Sequence, residues 1–80
     1  PAKCRAFGFH VIELPDGNDL EAVIDALTAP TEPGKPKCIV AHTVKGKGVS
    51  FMENDILWHY RTPQGEEYEA ALKELEAQRP

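Results

Sequence analysis

Hydrophobic residues recur along this chain in two rhythms, one short and strand-like, the other spaced for helices. In "FHVIEL", Phe9, Val11, Ile12 and Leu14 bring β-forming side chains, and "PDGN" follows at once. That pattern predicts a strand over residues 9–14 and then a turn. "NDLEAVIDALTAP" carries Leu20, Val23, Ile24 and Leu27 at helical spacing. It predicts a helix over residues 19–28, capped by Asn18 or Asp19 and stopped before Pro30. Proline and glycine in "TEPGKPK" mark a loop. "KCIVAHTV" predicts a second strand over residues 37–44, and its continuous apolar centre implies burial on both faces. In "TPQGEEYEAALKELEAQ", Tyr68, Ala71, Leu72 and Leu75 form the apolar stripe of a helix over residues 64–77. Thr62 is its expected cap, with Pro63 in the first turn.

Strand, helix and strand in this order make a βαβ unit, whose strands run parallel through a right-handed crossover. A pair of parallel strands is a poor sheet on its own. The expected fold is therefore α/β, a βαβ unit with parallel strands plus a C-terminal helix, belonging to a larger α/β sheet. Residues 1–80 are expected to form a single partial domain. The opening "PAKCRAFGF" has no initiator methionine and looks like the tail of another element, which suggests a piece of a longer polypeptide.

Size and charge narrow the classes of function. A chain of 80 residues makes one domain at most, with a marginal core. A net charge of -4 argues against nonspecific binding to nucleic acid or to an acidic membrane. No apolar run approaches the ~20 residues of a membrane-spanning helix. Cys4 and Cys38 stand far apart with no Cys-x-x-Cys, so they read as small apolar residues in a reduced, cytosolic setting.

The chemistry-bearing stretch is residues 42–59, "HTVKGKGVSFMENDILWH", which leaves the second strand and has no clear period. In open α/β sheets, ligands bind beyond the carboxyl ends of the strands, where this segment begins. Gly46 and Gly48 permit close backbone approach, and Lys45 and Lys47 bring positive charge. Those features suit a phosphate, although Lys-Gly-Lys-Gly is neither a P-loop nor a dinucleotide fingerprint; a solvated surface turn is the other reading. His59 has the chemistry of a general acid or base, or of a phosphate donor, and equally of a structural histidine. Trp58 reads as a packing anchor. His10 and His42 read as structural, and Glu53, Asn54 and Asp55 as a solvated loop tip rather than a metal site.

Taken in order, "RAFGFHVIEL", "DGNDLEAVIDAL", "KPKCIVAHTVKGKGVSFMEN" and "WHYRTPQGEEYEAAL" resemble the end of the cofactor-binding domain of transketolases. The likeness covers nearly the whole chain and is nearest to the split type, whose N-terminal half is a separate polypeptide. Its most specific part is "AHTVKGKGVSFMEN" followed by Trp-His. Deoxyxylulose-phosphate synthases share a similar loop and histidine. The resemblance implies the C-terminal segment of a thiamine-diphosphate-binding α/β domain, from an enzyme moving a two-carbon ketol unit between sugar phosphates. It implies a cytoplasmic transferase of the pentose phosphate pathway that uses thiamine diphosphate and a divalent metal, Mg2+ or Ca2+. By the family pattern His59 contacts the diphosphate and substrate, a catalytic and cofactor-binding role. Lys45, Gly46, Lys47 and Gly48 match the cofactor-facing loop, and no metal ligand falls in this stretch.

The partners implied are the remainder of the N-terminal domain, a C-terminal transketolase subunit or domain, and sugar-phosphate substrates, with no nucleic acid or membrane. The whole enzyme would be a dimer or a heterotetramer. Two features depart from the pattern. Many relatives have glycine after Trp-His, where this chain has Tyr60-Arg61. The Gly-Asp-Gly…Asn segment that holds metal and diphosphate is absent here. So are the earlier histidines and the activating glutamate, so the fragment is expected to bind no cofactor and to be inactive alone. Phe7, Phe9, Phe51, Ile56, Leu57 and Trp58 are the expected exposed apolar contacts. A non-enzymatic interaction module, a deoxyxylulose-phosphate synthase fragment and a generic anion-binding βαβ domain are the competing readings.

Overall fold

Strand β1 (His10–Leu14) and strand β2 (Lys37–Ala41) form a two-stranded parallel sheet in the computed structural model, which describes residues 1–80. The register runs from His10 beside Lys37 to Leu14 beside Ala41. The chain divides into two compact units, Pro1–Thr43 and Val44–Pro80. The α/β class and the parallel pairing follow the sequence pattern. β2 stops at Ala41 instead of reaching Val44. The reason lies in the register: after the His42 N–H donates to the Leu14 carbonyl at 3.0 Å, the next ladder bond would run from the Asp16 N–H to the His42 carbonyl. The turn closes instead with the Gly17 N–H on the His42 carbonyl at 2.7 Å.

Between the strands lies α2 (Leu20–Thr28). Of the two candidate caps, Asp19 performs the role, its Oδ1 accepting from the Glu21 and Ala22 N–H groups at 3.0 and 3.2 Å. The other end of the helix has a cation. Lys37 Nζ donates to the carbonyls of Ala26 and Leu27 at 3.0 Å and of Ala29 at 2.5 Å. An ammonium there satisfies orphan carbonyls and complements the negative end of the helix dipole. The first residue of β2 thus holds the last turn of α2.

The core of this unit is small. Leu14 and Ala26 are buried, while Leu20, Ile24 and Leu27 stay exposed at 72%, 48% and 63%. The apolar stripe therefore forms at the predicted spacing, yet a sheet only two strands wide covers little of it. The same geometry corrects the expectation for β2, whose Cys38, Ile39 and Val40 are half-buried rather than enclosed on both faces.

A short helix not foreseen from the sequence, α1 (Ala2–Ala6), precedes β1 and is closed by the Phe9 N–H on the Cys4 carbonyl at 3.1 Å. Cys4 and Cys38 are free thiols. The neighbouring Cys4 thiol, aided by desolvation, pushes the Cys38 thiol above its ordinary range. His10 Nδ1 accepts the Glu32 N–H at 2.7 Å, a structural bond as its strand position suggested.

The second unit consists of successive turns, a 3-10 helix (Ile56–His59) and α3 (Glu66–Ala77). The predicted cap is corrected here. Gly65, with φ 56° and no side chain to accept a bond, takes the N-cap position, so Thr62 and Pro63 lie outside the helix. Glu66, Glu67 and Glu69 crowd the first turn, where the helix dipole favours negative charge. Along the expected stripe Ala71 is buried, whereas Tyr68, Leu72 and Leu75 remain 49%, 40% and 49% exposed. Of the expected apolar contacts, Phe7, Phe9, Ile56 and Leu57 are exposed, while Phe51 and Trp58 are half-buried against each other. No helix is long and apolar enough to cross a membrane.

Two outcomes test this architecture. Lys37→Met keeps the aliphatic stem and removes the ammonium from three carbonyls. It is expected to destabilise the chain by about 1–2 kcal/mol in urea unfolding, with a smaller effect at high salt. The second concerns Glu13, whose carboxyl lies below its ordinary range chiefly because His42 Nε2 donates to it at 2.8 Å. A depressed carboxylate pKa contributes stability above the unfolded value of about 4.3, lost as pH falls through the folded value. The Glu13 carboxyl resonance should titrate below that of a free glutamate, and His42→Ala should return it to the ordinary range.

Candidate functional site

From Val44 onward the chain meets its backbone needs with consecutive turns. Lys47, Val49 and Met52 donate N–H bonds to the carbonyls of Val44, Gly46 and Val49 at 3.2, 3.2 and 2.9 Å. Gly46 and Gly48 adopt φ of 75° and 103°, a region that L side chains rarely enter. At Gly46 a side chain would also run into the Met52 carbonyl. The close approach Gly46 permits is thus to the loop's own backbone.

Lys45 closes the base of the loop. Its carbonyl accepts the Asn54 N–H at 2.9 Å, and its Nζ donates to the Asp55 carbonyl at 2.7 Å. Lys47, in contrast, is exposed and its ammonium has no partner. Of the residues expected to be a solvated tip, Asn54 and Asp55 are exposed, yet all three help hold the loop together. Glu53 is half-buried and its Oε1 accepts the Gly48 N–H at 3.3 Å. Asn54 takes φ 57°, which asparagine tolerates, and Asp55 caps the 3-10 helix by accepting the Leu57 N–H at 2.9 Å. No group of three or more His, Cys, Asp and Glu side chains could hold a metal ion.

That cap places Trp58 and His59 on a defined turn. Trp58 meets Phe51 edge-on at 5.4 Å, and the Arg61 guanidinium lies 5.2 Å from the Trp58 ring centre. Arg61 Nη2 also reaches both carboxylate oxygens of Glu67, at 2.8 and 3.1 Å. Trp58 is the packing anchor that its sequence position suggested. His59 is exposed, its ring 6.4 Å from that of Tyr60 and perpendicular to it. Tyr60 has φ -133° and ψ -1°, a negative φ that does not call for the glycine many relatives have after Trp-His.

α3 contributes contacts that sequence inspection did not find. Glu74 accepts from Ser50 twice, through the backbone N–H and the hydroxyl, both at 2.7 Å. These bonds, the hydroxyl's first, hold the Glu74 carboxyl below its ordinary range. Gln78 Nε2 donates to the Gly48 carbonyl at 2.7 Å. The only signal in the sequence is that Glu74 and Gln78 share a helix face at i, i+4. Nothing in it indicates partners 24 and 30 residues away. Of the sequence-predicted residues, Lys45, Gly46 and Gly48 are bound into one turn system, and Lys47 projects from it. His59 follows on the 3-10 helix without a hydrogen bond to any of them. Chemically, the surface offers one unpaired ammonium and one exposed imidazole to an anion.

No family model and no solved structure matches this chain. Curated relatives do. An apulose-4-phosphate transketolase subunit of Actinobacillus succinogenes is 45% identical over 73 residues, covering 91% of this chain and 26% of that protein. A 6-deoxy-6-sulfo-D-fructose transketolase subunit of a Clostridium species is 40% identical over 92% of this chain and 27% of its own length. Human transketolase-like protein 2 is 37% identical over 94% of this chain and 12% of its own. The chain thus spans about a quarter of the length of the two bacterial subunits. Over more than nine tenths of its own length it is transketolase-family sequence.

Proposed function

We propose that residues 1–80 are a single partial domain, the C-terminal segment of the thiamine-diphosphate-binding half of a transketolase. In that reading the chain forms one wall of the active site. The observation that carries it is the 45% identity to a transketolase subunit over 73 residues, which take in most of the chain. Two relatives are named as transketolase subunits for apulose 4-phosphate and for a sulfo-sugar. The substrate class proposed is accordingly an anionic sugar, and the partners are the rest of this half and a second transketolase subunit.

Thiamine diphosphate, when bound, supplies carbanion stabilisation for ketol transfer. The residues here fit its diphosphate as donors: the Lys47 ammonium is unpaired and presented by the turn joining Lys45, Gly46 and Gly48, and the His59 imidazole is exposed on the 3-10 helix. His59 donates its N–H to a diphosphate or substrate oxygen, and Lys47 contributes positive charge. Lys45 shapes the loop from its base, since its own ammonium is committed to Asp55. The divalent metal does not fit this chain, which has no cluster to hold it.

His59→Ala in the complete enzyme, with saturating thiamine diphosphate and metal, is the test. Electrostatic and acid–base roles of this kind are worth about 10²–10⁴-fold in rate, and a loss of that size with an unchanged thermal melt is expected. His10→Ala should act the other way round, lowering the melting temperature through loss of the bond from the Glu32 N–H while sparing turnover. Near-normal turnover of His59→Ala would remove His59 from the active site.

A further inference from the structure

A glycine-punctuated loop is a poor platform for binding unless something sets its backbone. Glycines at positive φ lose more conformational freedom on ordering than other residues, and a site displaced by about 1 Å loses much of its effect. In the second unit the loop's own bonds through Lys45 and Glu53 are joined by contacts from one helix, α3. α3 spans twelve residues, with Glu74 in its last turn and Gln78, four residues on, as its C-cap. Glu74 takes the Ser50 N–H and hydroxyl on its two carboxylate oxygens, each at 2.7 Å. Gln78 Nε2 donates both to the Glu74 carbonyl, at 3.0 Å, and to the Gly48 carbonyl, at 2.7 Å. The amide is thereby anchored on its own helix as it reaches the loop. Between the two tie points Val49 is buried, 6% exposed. The Leu75 side chain lies against Gly48, 3.3 Å from where a Cβ would stand. Residues 48–50 are therefore held at three consecutive positions, and Lys47 projects immediately before them.

We propose that Glu74 and Gln78 are positioning residues for the cofactor loop, setting the backbone from Gly48 to Ser50 so that Lys47 meets the diphosphate in a preformed geometry. Ser50 belongs to this support and is not a cofactor ligand, because both its donors are committed to Glu74. Ionised carboxylate acceptors make the stronger hydrogen bonds, so Glu74 is the main tie and Gln78 the lesser. The depressed Glu74 carboxyl keeps that acceptor charged near neutrality. This role rests on the thiamine-diphosphate reading given above.

The experiment titrates thiamine diphosphate with Mg2+ into the complete enzyme by calorimetry, beside thermal melts and steady-state kinetics. Glu74→Ala is expected to weaken cofactor binding about tenfold and raise the cofactor concentration for half-maximal rate, with kcat at saturation reduced less than about twofold. Glu74→Gln, which keeps one acceptor, should fall between it and the wild type, Gln78→Ala should lose about threefold, and Ser50→Thr, which keeps the hydroxyl, should bind normally. A lower melting temperature with unchanged cofactor affinity in Glu74→Ala would overturn the proposal, since a purely structural tie predicts that result. If Glu74→Ala does not fold, unchanged affinity in both Glu74→Gln and Gln78→Ala overturns it equally. A wild-type enzyme that binds no thiamine diphosphate overturns the proposed function and this role together, an outcome distinct from loss confined to the variants.

Discussion

Parallel strands cannot be joined by a tight turn, and that constraint shapes the first half of this chain. β1 and β2 pair only after the chain has crossed back through α2, and the crossover must end where β2 begins. Lys37 meets both needs, with its backbone in the sheet and its ammonium on the last carbonyls of α2. The ladder ends where the Gly17 N–H takes the His42 carbonyl that the Asp16 N–H would hold in a longer strand. Where the ladder ends, the chain enters the loop that carries the candidate chemistry.

Charged side chains bonding to backbone recur throughout both units. Asp19 and Asp55 cap helices, Lys37 and Lys45 hold carbonyls, and Glu53 and Glu74 hold amides. The buried apolar residues are few, namely Leu14, Ala26, Val49 and Ala71. With so little apolar cover, backbone groups in turns and at helix ends depend on side chains for partners. This explains why residues that look like a solvated surface in the sequence turn out to be the loop's supports. It also separates the candidate site into two kinds of residue. Lys47 and His59 are left exposed, whereas Lys45, Gly46 and Gly48 are consumed in making the turn that carries Lys47.

The elements themselves were legible from the sequence because they rest on local periodicity. β-forming, apolar runs placed both strands, the 3.6-residue pattern placed α2 and α3, and the strand–helix–strand order implied parallel pairing. The Lys-Gly-Lys-Gly turn and the Trp-His pair were visible as chemistry and carried the family resemblance, which the relatives then supported. Less legible were the edges. Asn18 and Asp19 looked equivalent until the helix entry selected Asp19, and Thr62 lost its capping place to Gly65. Burial was overestimated for β2, because an apolar run shows that a segment can be buried, not how much sheet lies beside it.

By itself, then, the sequence determined the α/β class, the positions of the four main elements and the residue types available to a ligand. Each depends on a residue and its near neighbours. Only the tertiary structure decided which loop donors are already committed and which remain exposed. Ser50 with Glu74 and Gly48 with Gln78 are pairings across 24 and 30 residues, and a linear pattern has no term for them. Their existence depends on how α3 folds back on the loop, which is a property of packing and hydrogen-bond satisfaction in three dimensions.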